Sequence, residues 1–388
     1  MRTNFKKNPI KSVASSKIER LNQTMDELLY KIAITRIPLV GAVTAKNLIS
    51  YCGGVEGVFA APKRELLKVP GVGPRIADSV LQRDYLREAE IEWQFIEKNG
   101  VQPIFYLDTA YPERLRHYPD SPVMLYYKGN AELNATRTVA IVGTRQPTPQ
   151  GIAFCEELVE HLKPYNTLII SGLAYGIDIA AHRACVAQRV PTLGVLGHGL
   201  RTIYPPSHRS IAEKMTACGG LLTEYVSDTK PDKEHFPMRN RIIAGLCDVL
   251  VVVETAIRGG SMITAHIANE YNKDVFAVPG RINDPYAQGC NRLIKTHKAL
   301  LLESAADVAY IMRWEEMDSQ RNIQQQLFVE LTEAEKIIVN LLRQMPEAGI
   351  DKLIIETRMS GSEMAAHLLN LEFKGVIRPL PGKRYALL

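Results

Sequence analysis

Residues 139–151 read VAIVGTRQPTPQG. The apolar run Val139 to Val142 closes on Gly143 and passes into Thr144 and Arg145, the outline of a buried strand entering a phosphate-binding turn. A dinucleotide fold would set three glycines at this turn, G-x-G-x-x-G, and a ribose-binding acid about 20 residues on. Here a single glycine is followed by an arginine. The turn suits an oxyanion, and it lacks the glycines that seat a pyrophosphate.

Outward from this stretch, four more apolar runs have the same form. TLIISG (167–172), TLGVLG (192–197), DVLVVVE (248–254) and DVFAVPG (274–280) join TVAIVG (138–143) as strands buried on both faces. Each precedes helix-compatible sequence, so the spacing predicts a Rossmann-like α/β domain over 101–312 with a doubly wound, mostly parallel sheet. Four of the five runs end in glycine, where ligands of such sheets gather. Four loop segments carry the candidate chemistry: GTR (143–145), SGLAYGID (171–178), HFPMRNRIIAGL (235–246) and ETAIRGGSMITA (254–265). Between them they offer backbone N–H groups at Gly143, Gly172, Gly176, Gly259 and Gly260, the hydroxyls of Thr144, Ser171 and Ser261, and the cations Arg145, Arg239, Arg241 and Arg258. Glycines let backbone approach an anion and arginines grip phosphate oxygens in pairs. Each segment alone has an ordinary reading as a turn or a solvated helix start; their coincidence on one expected edge points to an oxyanion site.

Other patterns flank this domain. Residues 1–24 are polar and basic without the apolar core of a signal peptide and read as a flexible tail. Over 25–100 the apolar residues Met25, Leu28, Leu29 and Ile32 recur at helical spacing. Inside this segment IPLVGAVTA (37–45) and VPGVGPRIA (69–77) match at an offset of 32 residues in Pro38/Pro70, Val40/Val72, Gly41/Gly73 and Ala45/Ala77. That is the mark of a duplicated helix-hairpin-helix, with Leu39 in the first copy where the second has Gly71. Such turns can hold one DNA phosphate without reading sequence, with Arg75 alongside, or can serve only as a packing platform; both readings stand. Residues 313–327 read as a linker. Over 328–388, two helical patterns, a third helix opened by a Ser360/Glu363 capping box, and two short strands joined by Pro381-Gly382 predict a winged helix.

Composition narrows the function classes. Six cysteines (52, 155, 185, 218, 247 and 290) form no C-x-x-C pair, which argues against a zinc site or a disulfide framework. No apolar stretch reads as a membrane span, and the expected compartment is the cytoplasm. The net charge of +5 permits a polyanion partner without requiring one. No G-x-x-x-x-G-K-[ST] is present, so ATP hydrolysis is not expected.

The ordered motifs VGTR, SGLAYGID, FPMRNRIIAGL, VVVETAIRGGSMITA and VPG together resemble the DNA-processing protein A family, DprA or Smf, over nearly the whole chain. The resemblance implies a single-stranded DNA binder that shields incoming strands in natural transformation, loads a RecA-type recombinase onto them, works as a homodimer and needs no cofactor or catalysis. It places a phosphate contact on Arg145 and sets Lys233 and Phe236 in the same pocket. The expected DNA-binding residues are therefore Gly143, Thr144, Arg145, Ser171, Gly172, Lys233, Phe236, Arg239, Asn240, Arg241, Gly259, Gly260 and Ser261.

Two alternatives belong to other classes. Glu254 beside a Gly-Gly-Ser turn resembles nucleoside-monophosphate hydrolases of Rossmann type, although no P-G-G-x-G-T-x-x-E is present; Asp178 and His182, four apart, could add acid/base chemistry. A transcription regulator would read DNA through the third helix of the winged domain, SGSEMAAHLLNLEFKG. That helix carries one lysine, one histidine and two glutamates, a poor set for base edges. Protein contact or domain docking suits it better.

Overall fold

The computed structural model describes residues 27–82, 84–315, 331–345, 348–380 and 384–387. The expected tail, most of the expected linker and the Pro381-Gly382 turn lie outside the described residues. The chain divides between Glu316 and Met317 into two units.

In the first unit the sheet has nine strands: β1 Gln102–Phe105, β2 Met124–Gly129, β3 Thr138–Val142, β4 Leu168–Ser171, β5 Thr192–Val195, β6 Gly219–Thr223, β7 Val249–Val252, β8 Asp274–Ala277 and β9 Leu300–Leu301. Their order is β1-β2-β6-β5-β4-β3-β7-β8-β9. β1 and β2 pair antiparallel, as do β2 and β6, and the other seven strands run parallel. The chain starts the parallel part at its centre with β3 and winds outward through β4, β5 and β6. It then returns to lay β7 against the other side of β3. The order therefore reverses between β3 and β7, and such a switch point leaves a crevice at the strands' carboxyl ends.

β3 shows why these runs form strands. All five of its residues are buried. Ala140 and Val142 face a core shared with Ile242, Ile243, Met262 and Ala265, while Val139 and Ile141 face another shared with Cys155, Leu158, Ile177 and Ala181. Helices Pro149–Leu162 and Ile177–Gln188 thus cover one side and helices His235–Leu246 and Gly260–Glu270 the other. Each large aliphatic side chain so buried contributes roughly 1.5 to 3 kcal/mol.

The N-terminal helical segment belongs to the same unit as the sheet. Ile32, Leu48 and Val72 share a core with Phe105 of β1 and with Met124 and Tyr126 of β2. Polar groups reinforce this face. Lys46 Nζ donates to the Pro119 carbonyl at 3.0 Å and to Ser121 Oγ at 2.7 Å. The buried Glu92 carboxylate accepts from Ser227 N and from its hydroxyl, the latter at 2.7 Å. The two hairpin turns have equivalent backbones: Gly41 and Gly73 precede helices Ala42–Cys52 and Pro74–Val80, and Leu39 adopts φ +69° where Gly71 has +81°. The first copy thus keeps the left-handed residue of the second with a leucine in place.

The second unit contains helices Glu333–Gln344, Ile350–Thr357 and Gly361–Phe373, with strands β10 Ala348–Gly349, β11 Ile377–Leu380 and β12 Arg384–Leu387 in the order β10-β12-β11. The Ser360/Glu363 capping box forms as the sequence predicts. A second box, Thr332 with Glu335, opens the first helix. This is a winged helix.

Candidate nucleic-acid interface

The crevice between β3 and β7 opens into a cavity of about 650 Å³. The turn after β3 supplies Gly143, Thr144, Arg145 and Gln146; the helix His235–Leu246 and the residues before it supply Lys233, Phe236 and Asn240; the turn after β7 supplies Gly259, Gly260 and Ser261. The SGLAYGID segment adds Ala174 and Asp178, so all four loop segments meet at the cavity.

The VGTR turn is held by its backbone. Thr144 N donates to the Glu254 carbonyl at 2.6 Å, and Ile177 N donates to the Thr144 carbonyl at 3.1 Å. Glycine is required where these chains cross. A Cβ on Gly143 would stand 2.4 Å from the Ile177 side chain, and one on Gly176, whose φ is +83°, would stand 2.1 Å from the Thr144 carbonyl oxygen. These two glycines therefore set the loop's position, and Arg145 is aimed by them.

Arg145 and Lys233 are exposed and belong to no ion pair among the described residues. The Arg145 guanidinium lies 5.9 Å from the centroid of the Phe236 ring, within the range of a cation–π contact. Gly259 begins the Gly260–Glu270 helix without a side-chain cap, and no acid lies in its first turn. Unpaired N–H groups at such a terminus favour negative charge. Ser261 is turned inward, its hydroxyl donating to Thr255 Oγ1 at 2.7 Å.

Several expected contacts are elsewhere. HFPMRNRIIAGL is a helix from His235 onward, not a loop. Arg239 lies beneath the cavity, 4% exposed, with Nη1 donating to the Gly172 carbonyl at 2.7 Å and to the Val195 carbonyl. Burial, with Arg145 adding to it, pulls its pKa down to about 10, while Asp178 opposes the shift. It ties the ends of β4 and β5 to the helix. Arg241 points away from the cavity into an ion pair with Glu224 at 2.6 Å. Two residues along a helix are about 200° apart, so the RNR pair could not face one ligand; that phase is legible in the sequence. Ser171 is fully buried and donates to the Ile141 carbonyl at 2.6 Å. Gly172 leaves no room for a Cβ between Arg239 and Asp178. Both lie behind the rim, and Arg258 is exposed outside the lining.

The residues that suggested acid/base chemistry are engaged structurally. The Glu254 carboxylate accepts from Thr148 N at 2.9 Å and from its hydroxyl, fixing the entry to the Pro149–Leu162 helix. Asp178 accepts from Ala174 N at 3.3 Å, and burial raises its pKa against the pull of Arg239. His182 is buried against Thr192 Oγ1 at 2.7 Å, and burial lowers its pKa to about 3, so it stays neutral. Sequence reasoning missed Tyr204 and Tyr286, both of which line the cavity; they follow the glycine-ended runs TLGVLG and DVFAVPG, which marked the loops but not the tyrosines in them. Among the described residues no group of His, Cys, Asp and Glu is placed to hold a metal ion, and no helix is long and apolar enough to cross a membrane.

Comparison with known proteins gives this geometry its relatives. The family model described as DNA recombination-mediator protein A matches residues 102–313, a helix-hairpin-helix model matches 32–92, and a DprA winged helix model matches 328–383. Protein Smf of Synechocystis sp. is 31% identical over 92% of this chain and 98% of its own length. The DNA processing protein DprA of Streptococcus pneumoniae is 42% identical over 52% of this chain and 71% of its own. Its crystal structure superposes with a TM-score of 0.60 at 33% identity, covering 74% of this chain and 96% of that one. DNA processing protein A from Helicobacter pylori, whose structure addresses its single-stranded DNA binding mode, superposes with a TM-score of 0.51 at 28% identity over 55% of this chain and 97% of that one. With its Rossmann-like domain, paired hairpins and winged helix all matched in order, this chain belongs to the DNA recombination-mediator protein A family, the DprA/Smf proteins.

Proposed function

We propose that this protein binds single-stranded DNA at the switch-point cavity, as a cytoplasmic, non-catalytic protein, and delivers the strand to a RecA-type recombinase during transformation or recombination. The observation that carries the reading is the convergence of Arg145, Lys233 and Phe236 on one rim. Two exposed cations grip phosphate oxygens, and an aromatic ring offers a base a stacking face without sequence preference. The acids in the region are occupied: Glu254 holds Thr148, and Asp178 holds the loop backbone at Ala174. This favours binding over hydrolysis of a nucleoside monophosphate.

Delivery to a recombinase is supported by the family's description as a recombination mediator, and a homodimer by the motif resemblance. The helical domain supports the sheet through its shared core, while Gly71 and Arg75 of its second hairpin stay exposed and add a minor backbone contact. A mobility-shift competition tests the core of the reading. An oligothymidine should displace a labelled single strand at far lower concentration than duplex DNA of equal length, because paired, stacked bases cannot enter the cavity. Equal displacement by duplex would contradict it. Sedimentation of the same sample measures the dimer, and stimulation of recombinase filament formation measures the delivery step.

A further inference from the structure

Two tyrosines stand beside this rim without a place in the cavity's phosphate chemistry. Tyr204 lies between β5 and the Arg209–Cys218 helix, and Tyr175 lies in the loop after β4. They are 46% and 50% exposed. Tyr204 stacks on Phe236 with ring centroids 5.9 Å apart and 28° between planes. Tyr175 meets the His208 ring edge-on at 4.9 Å, and its hydroxyl lies 3.5 Å from Ser207 Oγ. His208 is itself buried and fixed through Nδ1 to the Leu173 carbonyl at 2.9 Å. One short stretch, Tyr204 to His208, therefore carries one tyrosine and braces the other.

The surroundings suit a nucleic acid strand. The stretch RTIYPPSHRS (201–210) contains two arginines and no acid, and Arg209 is exposed. Spacing sets how bases can be placed. A base sandwiched between two rings needs two stacking steps of about 3.4 Å each. Phe236 and Tyr204, at 5.9 Å, are too close to admit one. Successive bases must then use separate ring faces.

We propose that Tyr204, at the edge of the cavity, and Tyr175, beyond its lining, form a second base-stacking station, taking the nucleotide next to the one held at Phe236, with Arg209 as the cation for its phosphate. This rests on the cavity reading above and extends it by one nucleotide along the rim. Stacking of this kind accepts any base.

The test uses the full chain, an oligothymidine of about 20 nucleotides, sized to exceed a single-domain footprint, and an abasic strand of the same length. Tyr175→Ala should weaken oligothymidine binding about 5- to 150-fold with an unchanged salt slope, while Tyr175→Phe should bind as the parent does. On the abasic strand Tyr175→Ala should lose little, since no base is there to stack. If Tyr175→Ala fails to fold, Tyr175→Leu keeps bulk without a flat ring and should give the same pattern. Arg145→Ala, measured alongside, separates the two levels of the reading. Parent-like oligothymidine binding by Tyr175→Ala, with binding lost in Arg145→Ala, overturns the second station and leaves the cavity standing. Unaltered binding in both variants overturns both. Equal losses on the abasic strand and on oligothymidine overturn stacking as the role of Tyr175.

Discussion

Arg145 and Arg239 border the same cavity, each close to a glycine-bearing loop, and Arg145 disfavours the charge on Arg239. Their surroundings give them opposite tasks. Arg145 sits on a turn anchored through its backbone and through the neighbouring Gln146 side chain, and carries its own guanidinium into solvent beside Phe236. Arg239 is sealed under the rim, donating to strand-end carbonyls of β4 and β5. A cation available to a ligand must have its own hydrogen-bond capacity unfilled, and only Arg145 satisfies that. Burial, more than residue type or nearness to a glycine turn, separates a binding arginine from one that holds the site together.

The largest expected effect breaks that comparison from the buried side. Arg239→Ala removes the partner of two strand-end carbonyls and leaves Asp178 without its neighbouring cation. Removing one partner from a buried charged arrangement costs about 3 to 5 kcal/mol, so calorimetry should show a large fall in Tm without DNA. Arg145→Ala should leave Tm unchanged.

His182 comes next. Its folded pKa, about 3, lies below the ordinary histidine value, so below about pH 6.5 the unfolded chain binds a proton that the folded chain refuses. Its contribution is therefore present above pH 6.5 and is lost as pH falls, by about 1.4 kcal/mol per pH unit. The carboxyls of Asp178 and Glu224, raised by burial, act in the opposite sense. The readout is thus the difference between parent and His182→Gln in denaturant titrations from pH 7 to 5, and the variant should lose stability less steeply.

Glu254→Gln weakens the bonds to Thr148 and should cost about 1 kcal/mol, the scale of a helix cap. It should leave DNA affinity intact, and neither form should turn over ATP or a nucleoside monophosphate; turnover abolished by the substitution would restore the hydrolase reading. The smallest effect tests the two hairpins. Leu39 holds a left-handed φ that disfavours a side chain by about 1 to 2 kcal/mol, and its side chain is exposed. Allowing for the chain entropy of glycine, Leu39→Gly should raise stability by roughly 0.5 kcal/mol, and Gly71→Leu should lower it.

The central strands were legible because burial on both faces leaves an uninterrupted apolar run, as in Thr138–Val142 and Val249–Val252. β6 was hidden by its opening glycines. Gly219 and Gly220 are small because the Thr192 backbone and the Tyr127 ring press against them, and their spacing reads as a turn. β1 and β9 are short edge strands whose sequences carry little pattern. At the site, Arg145, Lys233 and Phe236 were recoverable from the motifs, and Asn240 follows Phe236 by four residues on the same helix face. Arg239 and Ser171 were not, since nothing local to a residue tells how deeply the loops around it close. Tyr204 depends on a contact with Phe236, 32 positions away in sequence.

The proposed binding mode turns on a contact between Arg145 and a DNA phosphate. The most direct measurement is the dependence of oligothymidine affinity on salt concentration for the parent and for Arg145→Ala. Each phosphate neutralised on a single strand contributes about −0.7 to the slope of log affinity against log salt. Arg145→Ala should bind more weakly, with a slope shallower by about that amount, on any base sequence. An unaltered slope, with duplex competing as well as single strands, would contradict it and place the DNA elsewhere on the molecule.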